Sequence, residues 1–441
     1  MSGVLLPGLD AALRVAAPQR LGVVSSVVGL SIEVRGVSAP VGALLRIGAD
    51  DAPGILAEIT AVRKKSVTCM PLRQSEQLAA GTPVRVLPGT FRVPTGPSLL
   101  GRVVDGTGRP VDGLGPVADA PMAALDRPAP EAIRRARIAT PLSTGVRSID
   151  TLTTMGRGQR IGLFAGSGVG KSSLLSMITR GTDAACSVIA LIGERGREVR
   201  EFLEDDLGSE GLARSVVVVA TADEPALMRV RAAFTATRIA EAFRDDGADV
   251  VLMMDSLTRV AMAQREIGLS AGEPPATRGY PPSTFSLLAR LLERAGTDER
   301  GSVSGVYTVL VDGDDHNEPI ADTVRSILDG HIVLTRELAV AGHYPPVDVL
   351  ASVSRVASRV TSPEQRAAAT TLRRALAARR SVQDLIDVGA YRRGADPLVD
   401  AAVDNARAID AFLQQGLHDH TPAEQSWARL AGLAETLEAI G

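Results

Sequence analysis

The sequence predicts an α/β protein with a central domain built on a parallel sheet, a small β barrel before it and a helical domain after it. Short β-type runs separated by Gly, Pro and Asp fill residues 22–87, which is typical of a small barrel. Apolar strands then alternate with helical runs, which favours a parallel sheet covered on both faces. After Ser362 no strand pattern remains, and Ala, Leu, Arg and Asp dominate. We therefore expect domains at residues 1–88, 89–361 and 362–441.

The first domain is predicted to contain a short helix followed by the strands of the barrel. Apolar residues at helical spacing in residues 4–16 predict a short helix, which either packs on its own domain or docks on a partner. The clearest barrel strands are predicted at residues 22–28, 31–37 and 82–87. The Gly/Pro-rich stretch at residues 88–130 indicates turns that lead into the next domain.

The central domain begins with an apolar strand, a glycine-rich turn and a helical run, which together form a phosphate-binding P-loop. Its first motif position holds Ala165 rather than Gly. Among 48 Lys and Arg residues only three are lysines, and Lys171 stands where a compact ammonium can reach the β- and γ-phosphates. The Ser172 hydroxyl can ligate Mg²⁺. The predicted nucleotide-binding residues are Gly166, Ser167, Gly168, Val169, Gly170, Lys171, Ser172 and Ser173.

Further strands and helices follow in alternation. The predicted strands are residues 160–164, 187–192, 215–220, 250–254, 302–311 and 331–334. Helices are predicted at residues 225–244 and 283–295 here, and at 364–380, 397–415 and 422–440 in the helical domain. Met253, Met254 and a leucine stripe at residues 287–292 are expected in the core.

Two carboxylates follow buried strands and would reach the edge of the sheet where ligands of α/β proteins bind. Asp255 follows an apolar run and can anchor a metal, or it can cap the next helix. Glu194 follows another strand and can hold an attacking water, or it can belong to a solvated helix start with Arg195, Arg197 and Glu198.

Composition excludes several classes of function. The net charge of -3 gives no reason to expect nucleic-acid binding. Cys69 and Cys186 are too far apart in sequence for a zinc motif or disulfide framework, which suits a reducing cytoplasm. No basic leader and no run long enough to span a bilayer are present, so work at a membrane would need partners. The five histidines form no metal motif, and Mg²⁺ brought by the nucleotide is the expected metal.

The motifs together resemble the ATPases of type III protein export. The matching stretches are Ala165 to Ser172, Gly193 to Phe202, Asp255 to Arg259, Gly272 to Ser283 and Asp312 to Asp322. The residues around His316 and Asn317 are more similar to the flagellar export ATPase than to its virulence-injectisome relatives.

The resemblance implies a RecA-like nucleotide domain, similar to that of rotary ATP synthase subunits, and a homo-hexamer. It implies that Glu194 is the catalytic carboxylate and that Arg195 lies near the γ-phosphate. Glu198 would support the water shell of Mg²⁺, and Asp255 would be the acid of the Walker B motif. Tyr344 matches the residue that packs on adenine, and Arg355 matches the arginine finger offered to a neighbouring subunit. The loop from Gly268 to Tyr280 would face the central channel.

The implied function is Mg-dependent ATP hydrolysis that powers flagellar export and unloads or unfolds export substrates and their chaperones. The implied partners are a regulator at the N-terminus, a stalk protein and the export gate, with the chain docked by them at the inner face of the cell membrane. The alternatives are an injectisome ATPase, a rotary ATP synthase subunit, a RecA-like RNA helicase and a non-catalytic nucleotide-binding subunit. The rarity of aromatics before Phe164 weighs against the helicase, and the presence of Glu194 and Arg355 weighs against the non-catalytic subunit.

Overall fold

A computed structural model describes residues 21–49, 54–74, 78–311 and 318–440. The described chain divides into two compact units, of which the first takes the residues up to Phe91 together with Ile267–Glu273. The second unit holds the remainder. The helix predicted at residues 4–16 and the pair His316 and Asn317 lie outside the described residues. The domain boundaries predicted after residues 88 and 361 remain predictions.

The first unit contains the predicted barrel. Within the described residues, six strands close it in the order β1, β2, β5, β4, β3, β6. They are β1 (Gly22–Val28), β2 (Ser31–Arg35), β3 (Leu44–Ile47), β4 (Ile55–Val62), β5 (Ser66–Pro71) and β6 (Pro83–Val86). Burial alternates along β2, where Ile32 and Val34 face the core while Arg35 is exposed. This period of two is what a closed barrel requires, because successive side chains point inward and outward.

The Gly/Pro-rich stretch after the barrel is not made of turns alone, so this prediction is wrong in part. It contains β7 (Arg92–Pro94), β8 (Val103–Asp105) and β9 (Met122–Ala124). Strand β7 pairs with β9, and β8 joins the central sheet beside a later strand. Strands of three residues between glycines and prolines are too short to show an alternation of apolar and polar residues, so they could not be predicted from the sequence pattern.

The central domain has the predicted strands and several short additions: β10 (Pro141–Leu142), β11 (Met155–Gly156), β12 (Arg160–Ala165), β13 (Cys186–Ile192), β14 (Ser215–Ala220), β15 (Asp249–Asp255), β16 (Gly296–Thr297), β17 (Ser302–Leu310), β18 (Gly330–Leu334) and β19 (Val353–Ser354). Within the described part of the chain, nine strands form one sheet in the order β19, β18, β12, β17, β15, β13, β14, β8, with β16 beside β17. Strands β10 and β11 pair separately. The strands from β18 to β8 run parallel, so their carboxyl ends meet at one edge. This confirms the predicted α/β architecture.

Helices cover the sheet. In the nucleotide region they are α1 (Arg147–Leu152), α2 (Lys171–Gly181), α3 (Gly196–Glu201), α4 (Gly208–Ala213), α5 (Ala226–Asp245), α6 (Leu257–Ala271), α7 (Pro282–Leu292), α8 (Pro319–Ile327), α9 (Arg336–Val340) and α10 (Ala357–Val360). A π-helix at Phe202–Leu207 joins α3 to α4. Met253, Met254, Leu288 and Leu292 are fully buried, as predicted for core residues.

The segment from Gly268 to Tyr280 is not a loop throughout, because α6 continues to Ala271. A short 3₁₀ turn follows at Thr277–Gly279. The expectation that this segment faces a central channel concerns an assembly of several chains and remains a prediction.

The C-terminal region is helical, as predicted. It consists of α11 (Pro363–Ser381), α12 (Gln383–Asp387), α13 (Pro397–Asp404), α14 (Ala406–Leu413) and α15 (Ala423–Ile440). A capping box between Ser362 and Gln365 begins α11. The helical stretch predicted over residues 397–415 consists of two helices that meet at Asn405, and α14 ends before Gln414. In the described part of the chain, no helix combines the length and apolar character that crossing a bilayer requires.

Candidate nucleotide site

The site lies at the carboxyl edge of the sheet, where three strands deliver its side chains. Strand β12 runs into the glycine-rich loop, and β13 and β15 pair in parallel with Leu191 opposite Asp255. Glu194 follows β13 by two residues and therefore lies beside the end of β15. Carboxyl ends of parallel strands gather ligand-binding groups in open α/β sheets.

The loop between β12 and α2 has the conformation that phosphate binding needs. Gly168 and Gly170 have φ values of 76° and 103°, in the left-handed region that favours glycine. The carbonyl of Gly170 accepts the first helical bond of α2, from the N–H of Leu174. In the residues described, no side chain caps this helix. The N–H groups of its first turn are therefore free to bind an anion.

Lys171 lies between two carboxylates. Its Nζ is 2.5 Å from Oδ1 of Asp255 and 3.6 Å from Oε1 of Glu194. Burial alone would lower the pKa of Lys171, but the charges of Asp255 and Glu194 outweigh burial and the net pKa is raised. The ammonium therefore stays charged, as a phosphate-binding cation must.

The pKa of Glu194 is also raised, but here burial contributes to the increase. Burial raises the pKa of its carboxyl, and the charge of Asp255 and a hydrogen bond with Glu198 raise it further, against the effect of Lys171. A carboxyl with a raised pKa in a cleft, next to a charge partner, is typical of a functional site. The side chain is only 17% exposed. It is therefore not part of a solvated helix start, and helix α3 begins two residues later.

Asp255 is not a helix cap in this structure. Its Oδ1 accepts hydrogen bonds from Lys171 Nζ and, over 2.8 Å, from the hydroxyl of Thr308. The N–H of Arg259 in helix α6 is instead bonded by the hydroxyl of Ser256. The carboxylate, with a 3% exposed side chain, is thus held toward the phosphate loop.

The glycine-rich loop, Lys171 and Glu194 line a cavity of about 440 Å³, and Asp255 lies behind Lys171. Its lining includes all the predicted loop residues except Val169, together with Glu194, Arg195 and Glu198. The side chain of Val169 packs in the apolar core, so only its backbone could contact a ligand. Arg355 does not line this cavity among the described residues; it is exposed, and its backbone N–H bonds to the carbonyl of Asp329.

Arg195 and Glu198 lie at the rim. Their side chains are 78% and 40% exposed, and Arg195 Nη1 is 3.3 Å from Glu198 Oε1. An exposed ion pair of this kind contributes little to stability, so both groups are free to reorient toward a bound anion or cation.

Tyr344 lies next to the loop. Its ring is close to Gly170, since a Cβ built at that glycine would be 3.6 Å from Cε1 of the tyrosine. The residue is 49% exposed, which leaves part of the ring open to a stacking partner. On the same side, Arg336 donates a hydrogen bond to the carbonyl of Ser167 over 3.0 Å.

Arg259 also lines the cavity, and the sequence reasoning gave it no role. Its stem packs under Gly193, where a Cβ would come within 2.8 Å of the arginine Cβ. Its Nε is buried with no hydrogen-bond partner among the described atoms. A buried, unpaired guanidinium N–H beside the loop is suited to an incoming phosphate oxygen. Arg259 lies four residues after Asp255, one turn into a helix, and this spacing could have indicated its role.

The residues also fit Mg²⁺ carried by a nucleotide. Ser172 is exposed on the first turn of α2, and Asp255 and Glu198 supply the hard oxygen ligands that Mg²⁺ prefers. The described residues contain no group of three His, Cys, Asp or Glu side chains that could hold a metal by themselves.

Comparison with known proteins shows close relatives. The flagellum-specific ATP synthase of Bacillus subtilis (strain 168) is 51% identical over 418 residues, which cover 94% of this chain and 95% of that protein. The type 3 secretion system ATPase of Xanthomonas euvesicatoria is 49% identical over 401 residues, 91% of each chain. The chain is also similar to the solved structure of the assembled ATPase EscN in complex with its central stalk EscO from the enteropathogenic E. coli type III secretion system. That similarity has a TM-score of 0.87 and 44% identity, and covers 94% of this chain and 100% of that one.

Two family models match successive parts of the chain. Residues 145–354 match the nucleotide-binding domain of the ATP synthase alpha/beta family, and residues 361–432 match the T3SS EscN ATPase C-terminal domain. The fold and the phosphate site are therefore those of an ATPase of the ATP synthase α/β class. Within that class, the chain belongs to the family of type III export ATPases.

Proposed function

We propose that this chain hydrolyses ATP, with Mg²⁺ as its cofactor, to power protein export at the bacterial flagellum. One observation carries the catalytic part of the proposal: Asp255 and Glu194 place carboxylate oxygens 2.5 Å and 3.6 Å from Lys171 Nζ, and Lys171 and Glu194 line one cavity together with the phosphate-binding loop. Phosphoryl transfer is catalysed mainly by positioning and by stabilisation of charge, and this arrangement supplies both.

In the proposed mechanism the loop N–H groups and Lys171 hold the β- and γ-phosphates, and Arg259 and Arg195 contact their outer oxygens. Lys171 exchanges its carboxylate partners for phosphate when the nucleotide enters. Glu194 then holds a water in line with the γ-phosphate, and its raised pKa makes it a stronger proton acceptor than an ordinary glutamate.

Ser172, Asp255 and Glu198 would hold the Mg²⁺ ion, with Asp255 and Glu198 acting through water. The ion, when bound, supplies positive charge beside the phosphates. Tyr344 would pack on the adenine ring, since it lies beside Gly170 and is half exposed.

Glu194→Gln tests this mechanism, because it keeps the size of the side chain and removes its ability to accept a proton. We expect ATP turnover to fall at least about 100-fold. Nucleotide affinity should change little, because Lys171 and the loop are intact. Steady-state hydrolysis and equilibrium binding of a fluorescent nucleotide measure the two quantities.

Glu201→Gln is the matched control, since Glu201 lines the rim of the same cavity and its side chain is 51% exposed. It should keep nearly normal turnover. Near-normal hydrolysis by a folded Glu194→Gln protein would contradict the role of Glu194.

A homo-hexamer is part of the proposal. Among the described residues, the Arg355 guanidinium makes one long hydrogen bond, 3.5 Å to the carbonyl of Arg325, and it does not line the cavity of its own chain. In an assembly like that of the related EscN, such an exposed arginine can serve the site of a neighbour as an arginine finger.

The flagellar assignment is tested in the organism that encodes this chain. Deletion of the chain should leave cells without flagellar filaments and without motility, because export supplies the filament subunits. Wild-type chain should restore both, and Glu194→Gln should restore neither. Normal motility after deletion, with secretion by an injectisome lost, would contradict this assignment and support the injectisome alternative.

The proposed partners are the stalk protein, a regulator at the N-terminus, the export gate, and export substrates with their chaperones. The stalk is supported by the related EscN, whose structure includes its central stalk EscO. We propose that the chain works in the cytoplasm and is docked by these partners at the inner face of the cell membrane. Nucleic acid is not a proposed partner, in keeping with the net charge of -3.

A further inference from the structure

The C-terminal helical region reaches the nucleotide site through the dipeptide Gln414-Gln415, which follows helix α14. The backbone N–H of Gln415 donates to the carbonyl of Tyr344 over 2.8 Å. The side-chain amide of Gln414 lies 3.4 Å from Nδ1 of His343. Two consecutive residues of the helical region therefore hold two consecutive residues of the segment that carries the Tyr344 ring.

The side chain of Gln415 is fixed through both of its polar atoms. Its Oε1 accepts from the backbone N–H of Arg147 over 3.0 Å. Its Nε2 donates to the carbonyls of Gly145, over 2.7 Å, and Asp419, over 2.8 Å. The residue is 5% exposed, so water cannot replace these bonds. A side chain without these polar atoms would leave buried partners unsatisfied and release the Gln415 backbone.

Arg147 holds the same segment from the start of helix α1. Its Nε donates to the carbonyl of Phe412 over 2.9 Å, and its Nη1 donates to the hydroxyl of Thr421 over 3.0 Å. Its Nη2 bonds to the carbonyl of Gln414. The chain on both sides of Gln415 is thus tied to the nucleotide region, which leaves the Gln415 N–H in a fixed place.

We propose that Gln415 is a positioning residue for the adenine base of the nucleotide. Anchored at helix α1, it fixes the carbonyl of Tyr344 and thereby sets where the Tyr344 ring lies over Gly170 and the phosphate loop. This inference rests on the proposed role of Tyr344 as the surface for the base. By linkage, a bound base that holds Tyr344 in place also strengthens the docking of the helical region.

Gln415→Leu removes the anchoring bonds at nearly constant volume. We expect the KM for ATP to rise about tenfold, as is usual for coupling between sites. The kcat should stay within about twofold, because Lys171, Glu194 and Asp255 are positioned by other elements, helix α2 and the ends of strands β13 and β15. Gln383→Leu is the matched control: Gln383 is a partly exposed glutamine of the same region whose side-chain amide bonds to Asp387 in its own helix. Its KM should not change.

Gln415→Asn keeps the amide but shortens the side chain by one methylene, and it provides a milder variant if the leucine protein does not fold. It should raise the KM in the same direction by a smaller factor. Thermal melting of each variant checks that the protein is folded at the assay temperature.

A double-mutant cycle with Tyr344→Ala separates positioning from a general structural effect. Tyr344→Ala alone should raise the KM about tenfold, and Gln415→Leu should then add little. An equal KM increase with and without the Tyr344 ring, or no increase at all, would overturn the inference. If Tyr344→Ala leaves the KM unchanged, the proposed role of Tyr344 fails, and the inference on Gln415 falls with it.

Discussion

Lys171→Ala is expected to lower ATP turnover at least about 1,000-fold, the largest effect of any single change in this chain. The substitution removes the ammonium group that contacts both Asp255 and Glu194. Two largely buried carboxylates then face the phosphates without compensation, so nucleotide binding should weaken together with turnover. Steady-state hydrolysis and nucleotide binding, measured on protein shown by thermal melting to be folded, check this result.

Lys64→Ala is the matched control, since Lys64 is an exposed lysine in the turn between strands β4 and β5 of the barrel. It should hydrolyse ATP at the normal rate. Lys171→Arg should fail almost as badly as the alanine variant, because a planar guanidinium does not replace a compact ammonium in this pocket. Turnover near wild type in folded Lys171→Ala protein would contradict the assignment of the site.

Arg355→Ala is expected to lower turnover by about 1,000-fold, the lower end of the range for arginine fingers. Nucleotide affinity of the isolated chain should be nearly unchanged, because Arg355 does not line the cavity of its own chain. Arg359→Ala, which removes an exposed arginine one turn further on in helix α10, is the control and should remain active. An Arg355→Ala protein with normal turnover would exclude the finger role.

Those parts of the site that depend on contiguous sequence patterns could be predicted from the sequence. The loop before Lys171 is a contiguous motif, and Glu194 and Asp255 each follow a long apolar run, so each could be placed at the carboxyl edge of a strand. That the two carboxylates are neighbours depends on β13 pairing with β15, and such long-range pairing has no local signature. The hydroxyl of Thr308, which fixes Asp255, was missed for the same reason.

The errors in the fold have local physical causes. Strand β8 is three residues long and lies among glycines and prolines, so its pattern resembled turns. The break at Asn405 divides one amphipathic run into α13 and α14 without interrupting the apolar pattern. The hydrogen bond between Arg147 and Gln415 joins residues 268 positions apart, so it could not be predicted from local sequence patterns.

We propose that each active site is shared between two copies of the chain. The most direct test mixes Lys171→Ala and Arg355→Ala subunits, each inactive alone, and measures ATP turnover in rings verified to contain both. An interface with Lys171 from one subunit and Arg355 from the next has a complete site, and random mixing at equal amounts forms roughly a quarter of the interfaces in this way. We predict that turnover returns to roughly a quarter of the wild-type rate. Mixed rings that remain as inactive as the separate variants would contradict the shared site.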